Sequence, residues 1–359
     1  RQERTNLYVY SPVVLPFPYS RISRLINRQL LLKPLERWMK AMDFHEPIIW
    51  TFLPTGTALE IINNIDRSLL VYYCIADFHA LTDNQKTLKK TEDELIKKCD
   101  IVFAQGHVIY DKCKRLNDNV HIFPFGVNVN IFNQFKCTTD KVPADIKEIK
   151  KPIIGYIGGI HKHIDFGLLK NMGEAHPEWS IVMVGPLQTS IEEIKGLKNV
   201  FFLGTKEFAE LPSYTQEFDV CIIPYLKSEY TATVYPTKLN EYHALGKPVI
   251  STNLPEVLNF NKENDDLVFV GKDHVEFIRH VASAINEEDK EVAVKRVLSA
   301  GKNSWSVRIN QMSSIMESTL AQKSRGADDW RERFSNFYRG SRKIIKRVSM
   351  AVTAYFLIF

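Results

Sequence analysis

Residues 235–251 read YPTKLNEYHALGKPVIS, and this stretch predicts a short helix followed by a buried strand. Pro236 suits the start of a helix, where its missing N–H would have no partner in any case. Gly246 suits the position just after the helix, because glycine adopts the left-handed conformation that ends many helices. The apolar run after Pro248 is then the strand, and a helix next to a buried strand is the repeating unit of α/β folds.

The start of this predicted helix has the chemistry of a nucleotide diphosphate site. Free N–H groups at Thr237 and Lys238 favour an anion, and the Lys238 ammonium adds a full positive charge. Glu241 lies three residues after Lys238 on the same helix face, and a carboxylate can accept two hydrogen bonds from the vicinal diol of a ribose. The alternative is a solvated Lys–Glu pair that binds nothing.

The composition of the 359 residues is that of an ordinary globular protein with room for two domains, since 45% are hydrophobic and 25% charged. The net charge of +5 falls short of the concentrated basic stripe of a nucleic-acid-binding protein, so no nucleic-acid partner is expected. The cysteines form no Cys-x-x-Cys pair, which argues for a reducing compartment and against a structural zinc site. They are Cys74, Cys99, Cys113, Cys137 and Cys221.

The first half of the chain alternates strand-like apolar runs with helical intervals, which is the pattern of a parallel sheet. Asp77 and His79 follow one of these strands, at the carboxyl end where open α/β sheets bind ligands. Asp77 is therefore the best-placed carboxylate for acid–base chemistry, although an Asp here is equally typical of a helix cap or a turn. The predicted strands are residues 47–52, 69–74, 100–104 and 120–124, with helices over 57–63 and 87–98.

A segment rich in Lys, Asp and Glu, residues 138–151, predicts a connection between two domains. The same alternation then restarts. Its predicted strands are residues 153–157, 180–184, 200–203, 220–223, 249–251 and 267–270, and its last helices are 275–285, 290–300 and 306–320. We therefore expect two α/β domains, residues 1–140 and 150–322, and a basic amphipathic tail, residues 323–359.

A glycine cluster follows the first strand of the second half. In the run GYIGGIHKH, residues 155–163, Gly158 and Gly159 allow a ligand to approach the backbone closely, and Lys162 is placed to meet a phosphate. The spacing matches neither the dinucleotide fingerprint nor the lysine-containing phosphate loop, so a simple tight turn is the alternative. His161 and His163 are two residues apart, a spacing that in a loop could ligate a metal, but no metal site is predicted.

Gly204, Thr205 and Lys206 end another predicted strand, so their backbone is placed to hydrogen-bond the edge of a base. A plain strand-to-helix turn is the alternative. The chain contains no Asp-x-Asp sequence, which leaves lysine and helix N–H groups to hold a diphosphate without a metal. It also contains no Gly-x-Ser-x-Gly sequence, which argues against a serine hydrolase.

Two basic amphipathic stretches are candidates for contact with an anionic membrane surface. The first is residues 21–42, where we expect an interruption at Pro34. The alternative to membrane contact is a helix whose apolar side faces the protein core. Its apolar positions at helical spacing are Ile22, Leu25, Ile26 and Leu30. The second is the tail, whose final apolar run, residues 348–359, is shorter than the roughly 20 residues that cross a bilayer. Three interpretations of the tail remain: an interfacial helix, part of a membrane segment, or a helix packed on the domains.

The motif Pro236-x-Lys238-x-x-Glu241-Tyr242-x-Ala244-x-Gly246-Lys247-Pro248-Val249-Ile250 resembles the donor-site helix of bacterial glycosyltransferases of the large family-1/family-4-like group. These enzymes have the GT-B fold, in which two Rossmann-like domains face each other across a cleft. The motif is most similar to the branch that builds cell-surface polysaccharide and carries Pro-x-Lys-x-x-Glu-Tyr. The resemblance covers residues 6–322 and includes residues 72–78, 99–104 and 124–128 and the Trp305-x-x-Arg308 sequence.

The resemblance implies transfer of a sugar from a nucleotide diphosphate donor on the second domain to a saccharide or lipid-linked acceptor on the first. It implies no cofactor, no metal, and a cytoplasmic location, peripheral at the inner face of the plasma membrane. Asp77 is the candidate catalytic base or sugar contact. The implied donor-binding residues are Lys238 and Thr237 for the diphosphate, Glu241 for the ribose, Gly158, Gly159, His161 and Lys162 for the donor sugar or phosphate, Thr205 and Lys206 for the base, and Tyr235 at the start of the motif.

The sequence departs from the family pattern at three places. Thr233 stands where many relatives have the first of two glutamates separated by seven residues. The arginine usual after the glycines is missing, which leaves His161 or Lys162 as its substitute. No strand and Gly-rich acceptor loop precede Asn6, so we expect the first domain to be incomplete. Because of these departures, a second interpretation remains: a catalytically inactive GT-B protein that binds a nucleotide or a protein partner. A third, a nucleotide-sugar epimerase, would need paired carboxylates at the cleft.

Overall fold

The computed structural model describes residues 2–4, 7–15, 21–78, 85–136, 142–286 and 289–325. The chain divides into two compact units, residues 1–310 and residues 311–359, and residues 311–325 of the second unit are helical. The predicted tail from residue 326 onward lies outside the described residues, as do His79 and Cys137. Across the described part of the chain, no helix has the length and apolar character needed to cross a membrane.

The first element after a short antiparallel hairpin (β1, Gln2–Arg4; β2, Leu7–Tyr8) is a long helix, α1, Arg21–Ala41. The interruption expected at Pro34 is wrong, because α1 continues through it and Leu31 and Leu32, both buried, hold the preceding turn against the protein. The core-facing interpretation is also wrong for the predicted apolar face, since Ile22 is 72% and Leu25 64% exposed. The face directed inward instead contains Asn27, whose side-chain amide bonds the backbone N–H and C=O of Leu15 at 2.7 and 3.0 Å.

The first sheet is parallel and has four strands in the order β3-β4-β5-β6. They are β3 (Ile48–Thr51), β4 (Leu69–Cys74), β5 (Ile101–Ala104) and β6 (Val120–Ile122), and the helices are α2 (Gly56–Asn64), α3 (Gln85–Lys98), α4 (His107–Lys114) and α5 (Val129–Lys136). Every residue of β4 and β5 is buried, as expected of apolar strands covered on both faces. We call residues 48–136 the first domain.

The second sheet is also parallel and has six strands in the order β12-β11-β10-β7-β8-β9. Its strands are β7 (Ile153–Ile157), β8 (Ser180–Val184), β9 (Val200–Gly204), β10 (Val220–Ile223), β11 (Val249–Thr252) and β12 (Val268–Gly271). Its helices are α7 (Phe166–Ala175), α8 (Leu211–Glu217), α9 (Glu229–Ala232), α10 (Thr237–Ala244), α11 (Pro255–Glu263), α12 (His274–Asn286) and α13 (Lys290–Lys302). This strand order is that of a Rossmann fold, which binds ligands where the order reverses, between β7 and β10. We call residues 142–310 the second domain.

The segment predicted as the connection between the domains contains structure of its own. Its described part includes a short helix, α6 (Ala144–Lys147), in which Ile146 is buried in the core of the second domain. Asp145 of the same helix accepts a hydrogen bond from the Tyr214 hydroxyl at 2.8 Å. The end of the connection is therefore fixed to the second domain.

The two domains are joined by backbone and side-chain contacts after β6. The backbone N–H of Val127 donates to the carbonyl of Asn303 at 3.0 Å, and the N–H of Trp305 donates back to the Val127 carbonyl at 3.1 Å. A side chain at Gly126 would place its Cβ 2.8 Å from the Trp305 nitrogen, so glycine is required by this close approach. Asn240 of α10 also donates to the Phe125 carbonyl at 3.3 Å, which brings α10 to the domain boundary.

Candidate functional site

The helix predicted from residues 235–251 is present and has the expected boundaries. Pro236 is the N-cap of α10, and Gly246 follows the helix with a φ of +76°. The strand β11 begins one residue after Pro248. Because α10 precedes β11 and touches the first domain, its amino-terminal end lies beside the carboxyl ends of the strands.

Lys238 projects from α10 into a site lined by two tyrosine rings. Its Nζ lies 5.1 Å from the ring centre of Tyr156 and 4.9 Å from that of Tyr225, and it donates a hydrogen bond to the Tyr225 hydroxyl. The side chain is only 8% exposed. Burial by itself lowers the pKa of the Lys238 ammonium. The interactions with Tyr156 and Tyr225 raise this pKa by more, so Lys238 is a buried cation at neutral pH.

The glycine loop after β7 packs next to the Lys238 side chain. A Cβ at Gly158 would lie 3.2 Å from Cε and 3.4 Å from Nζ of Lys238. Gly158 also has a φ of +138°, which a residue with a side chain rarely adopts. Lys238 and Gly158, predicted separately from two distant motifs, are thus neighbours in one site.

Glu241 lies one turn further along α10 and is half-buried. Burial raises the pKa of its carboxyl, and the nearby Lys238 charge opposes that shift. The cation and the carboxylate therefore face the same side of the helix, as the sequence predicted. A phosphate at Lys238 and a diol at Glu241 would be about one helical turn apart, roughly 5 Å.

Tyr242 anchors the helix to the strand that carries the glycine loop. Its hydroxyl oxygen accepts a hydrogen bond from the backbone N–H of Ile157 at 2.8 Å, and its ring is fully buried. Since Ile157 is the last residue of β7 and directly precedes Gly158, this bond ties α10 to the loop that faces Lys238.

Three glycines line the carboxyl edge of β7, β8 and β9. The N–H of Gly158 donates to the carbonyl of Val184 at 2.9 Å, and the N–H of Gly185 donates to the carbonyl of Gly204 at 2.9 Å. Gly185 has a φ of +147°, and a Cβ there would lie 2.0 Å from the Gly158 carbonyl oxygen. The loops after β7 and β8 therefore pack backbone against backbone, which requires glycine at position 185. Gly185 was not predicted, although a glycine directly after a buried strand is a signal in the sequence.

His161 is close enough to Lys238 for the lysine charge to affect its pKa, whereas Lys162 is an exposed side chain. The His161 ring lies 5.6 Å from that of Tyr225, and its Nδ1 accepts a hydrogen bond from the His163 N–H at 3.2 Å. Burial, Lys238 and His163 together lower the pKa of His161, which keeps the ring neutral with its proton on Nε2. Lys162 is exposed. Of the two, His161 is the one whose pKa shows the influence of Lys238.

The remaining predicted donor residues differ in their exposure and in their partners. Thr205 is exposed after β9, and the ammonium of Lys206 forms an ion pair with Asp145 of α6 at 2.6 Å. Tyr235 is buried and its hydroxyl donates to Asn240 at 3.1 Å. Thr237 is exposed at the first turn of α10, where its backbone N–H was predicted to meet an anion.

Asp77 lies in the cleft on the first domain. Its carboxylate forms an ion pair at 3.0 Å with Lys112 of α4, and Lys112 also binds the fully buried Glu92 at 2.8 Å. The two carboxylates outweigh burial and raise the pKa of Lys112. Asp77 and Lys112 line a cavity of about 370 Å³ whose wall from the second domain is Thr233. Thr233, at the position where the family pattern has a glutamate, therefore lines the same cavity as Asp77, with its hydroxyl donating to the Tyr230 carbonyl at 2.8 Å.

Metal-ligating side chains are scattered through the described ranges, which contain no group of three or more His, Cys, Asp or Glu that could hold an ion. His161 and His163, the pair noted in the sequence, have ring centres 5.5 Å apart.

Comparison with known proteins relates part of the second domain to a known family. Residues 151–287 match the family model described as glycosyl transferases group 1. The chain is 29% identical over 248 residues to TuaH of Bacillus subtilis, whose name assigns it to teichuronic acid biosynthesis as a glycosyltransferase. The matched region is 67% of this chain and 61% of that protein, so the chain spans about three fifths of this curated relative.

Solved structures of two further proteins resemble most of the chain. Sucrose-phosphate synthase from Thermosynechococcus elongatus matches with a TM-score of 0.64 and 16% identity, over 90% of this chain and 88% of that one. Anabaena HepE in complex with UDP-glucose matches with a TM-score of 0.58 and 14% identity, over 83% and 89%. These similarities confirm the predicted α/β architecture of two Rossmann-like domains, the GT-B fold.

Proposed function

We propose that this chain, whose residues 151–287 match the family model of group 1 glycosyl transferases, is a glycosyltransferase that uses a nucleotide diphosphate sugar. In the reaction, the bond between the anomeric carbon and the diphosphate oxygen breaks, and an acceptor hydroxyl oxygen bonds to that carbon. The hydroxyl proton leaves to a base, and the nucleoside diphosphate leaves with the electron pair.

The observation that carries this proposal is the buried cation at Lys238. It lies at the amino-terminal end of α10, against bare backbone at Gly158, with Glu241 one turn away. Positive charge placed in advance where the leaving diphosphate gains negative charge lowers the barrier without rearrangement. In this proposal Lys238 and the helix N–H groups carry that charge without a metal, and no cofactor is needed beyond the donor.

The nature of the donor is supported by the structural relatives. Anabaena HepE has been solved with UDP, with UDP and glucose, and with UDP-glucose. In this chain Glu241 would accept hydrogen bonds from the ribose, and the glycine edge from Gly158 to Gly204 would lie under the base and the sugar. His161 would donate from Nε2 to a donor oxygen, and Thr205 and Lys206 would lie at the base end.

The acceptor would enter the cavity between Asp77 and Thr233, with Asp77 as the base or as a sugar contact. The name of the Bacillus subtilis relative supports a saccharide or lipid-linked acceptor of the cell envelope. The exposed apolar side chains of α1, beside the exposed Lys33 and Arg37, support a cytoplasmic location at the inner membrane face.

The experiment is a panel of nucleotide sugars, each incubated with the protein and an acceptor lipid fraction, with release of free nucleoside diphosphate as the measurement. Lys238→Met and Glu241→Gln are the test variants, and Lys170→Met, an exposed lysine of α7, is the matched control. We expect both test variants to lose release by on the order of 100-fold while the control is unchanged. Unaltered release in Lys238→Met would remove this residue from the site.

Thr233 favours a second candidate, a GT-B protein that binds a nucleotide but transfers nothing. A threonine stands where relatives have an acidic residue, in the wall facing Asp77. For this candidate, calorimetry would detect nucleoside diphosphate binding that Lys238→Met abolishes, while no donor in the panel is consumed.

A further inference from the structure

The helix α4 of the first domain has no cap of its own. Its N-cap residue is Gly106, which has no side chain to bind the free N–H groups of the first turn. Those N–H groups donate instead to a carboxylate of the other domain. Glu256 of α11 accepts from the N–H of His107 at 3.0 Å and from the N–H of Val108 at 2.8 Å.

Glu256 is buried and closely packed against the start of α4. The residue is 1% exposed although it carries a carboxylate. A Cβ at Gly106 would lie 2.5 Å from the carboxyl carbon of Glu256, so any larger residue at position 106 would displace it. The His107 ring adds to the contact, with Nδ1 3.4 Å from Glu256 and Nε2 3.0 Å from Glu263. A buried carboxylate is stable here because the helix amino terminus carries partial positive charge and supplies two N–H donors.

The same helix carries one wall of the acceptor cavity. Val108, Ile109, Asp111 and Lys112, all in α4, line the cavity that contains Asp77 and Thr233. Lys112 is also the residue that binds Asp77. A shift of α4 relative to the second domain would therefore move Lys112, and Asp77 with it, away from the donor site.

We propose that Glu256 is a positioning residue for sugar transfer: by capping α4 from the opposite domain, it sets the distance between Asp77 and the donor bound at Lys238. This inference rests on the proposed function, because it assigns a step to the same cleft. Glu256 is not among the residues that line the Asp77 cavity, so in this proposal it acts through α4. Loss of Glu256 should therefore slow the transfer step and leave binding of the donor to the second domain unchanged.

The test compares donor binding with turnover in Glu256→Gln. Glutamine keeps the size of the side chain, but its NH2 group faces one of the two helix N–H groups and cannot accept from it. We expect kcat to fall by on the order of 10- to 100-fold, while the Kd of UDP or the preferred nucleotide is unchanged. Glu263→Gln, which alters only the exposed partner of His107, is the control and should retain both values.

A double variant separates positioning from helix stability. In Gly106→Asp with Glu256→Ala, the shortened side chain makes room for an aspartate that caps α4 from its own domain. We expect its melting temperature to recover relative to Glu256→Ala, while kcat stays low. Recovery of kcat together with stability would show that Glu256 acts only as a cap and would overturn the proposal, as would equal losses of nucleotide affinity and kcat in Glu256→Gln.

Small-angle scattering gives a readout that does not depend on turnover. Loss of the Glu256 contact should raise the radius of gyration of the double variant above that of the wild-type protein. An unchanged radius would contradict the positioning role. If the wild-type protein consumes no donor at all, the proposed function fails by itself, and scattering still decides whether Glu256 holds the two domains at a fixed distance.

Discussion

The hydroxyl oxygen of Tyr242 accepts a hydrogen bond from the backbone N–H of Ile157 at 2.8 Å, between two buried residues on different elements. This bond connects the helix that carries Lys238 to the strand that ends at Gly158. The separation between the Lys238 ammonium and the glycine loop therefore depends on a phenol hydroxyl that is fully buried.

Replacing Tyr242 by phenylalanine tests this connection. The change leaves the Ile157 N–H buried without an acceptor, so we expect the free energy of unfolding to fall by about 1–3 kcal/mol. Urea denaturation measures the loss. Tyr10→Phe, at a residue that is 40% exposed, is the control and should unfold at the same urea concentration as the wild type. An equally stable Tyr242→Phe variant would show that the N–H finds another partner.

Gly185→Ala should disrupt the glycine edge. The new methyl group would lie 2.0 Å from the Gly158 carbonyl oxygen at a φ of +147°, so the loops after β7 and β8 must move apart. We expect a loss of about 1–3 kcal/mol in stability together with weaker nucleoside diphosphate binding, measured by calorimetry. Gly196→Ala, where no atom lies within 4 Å of the added Cβ, is the matched control. Undiminished binding in Gly185→Ala would place the nucleotide away from this edge.

Asp77→Asn addresses the acceptor side of the cleft. If Asp77 accepts the acceptor proton or orients the sugar, kcat should fall by on the order of 100-fold, with nucleotide affinity retained. Asp111→Asn, at another carboxylate of the same cavity, is the control and should have a smaller effect. Initial rates over a range of acceptor concentrations distinguish a loss of binding from a loss of chemistry. Equal rate losses in the two variants would contradict a special role for Asp77.

Lys206 was predicted to bind the donor, and the structure pairs it with Asp145. Lys206→Met and Asp145→Asn both remove the ion pair, and because it is partly exposed we expect each to change stability by less than about 1 kcal/mol. Only Lys206→Met should weaken nucleotide binding if the ammonium also reaches the donor. Identical affinities in the two variants would assign Lys206 a structural role alone.

The fully buried His243 makes stability depend on pH. Burial, with a contribution from Arg296, lowers the pKa of His243 to about 3, and neither ring nitrogen has a hydrogen-bond partner among the described residues. Below the unfolded-state pKa of about 6.5, the unfolded chain binds a proton that the folded chain does not. Stability should therefore fall by up to about 1.4 kcal/mol per pH unit between pH 6.5 and 3 because of this residue. Denaturation of His243→Leu at several pH values should show a correspondingly smaller decline, and parallel curves would refute the assignment.

The sequence predicted the elements that local patterns determine. Proline and glycine at the ends of α10 specify its boundaries, and β4, β7, β8 and β10 were predicted at their observed limits because each is a buried apolar run between polar segments. The prediction for α1 was wrong at Pro34 and on the face directed inward, because packing of Leu31 and bonding of Asn27 determine both.

The site was predicted only where its groups share one motif. Lys238 and Glu241 are three residues apart, so helical geometry relates them. Tyr156 and Tyr225 come from the ends of two other strands, and no local pattern brings their rings to Lys238. The helix α4 was not predicted because its cap, Glu256, lies 149 residues from His107 in the sequence.

The pairing order of the second sheet has a consequence for synthesis on the ribosome. The central strand β7 has β8 as one neighbour and β10 as the other, and the N–H of Ile153 donates to the carboxylate of Asp219, 66 residues later. A nascent chain that ends before Val220 can therefore assemble β7, β8 and β9 but leaves one side of β7 without a partner. Because such long-range pairing is slow, this half-built sheet is the stage at which a chaperone or an aggregating neighbour would find an open strand edge.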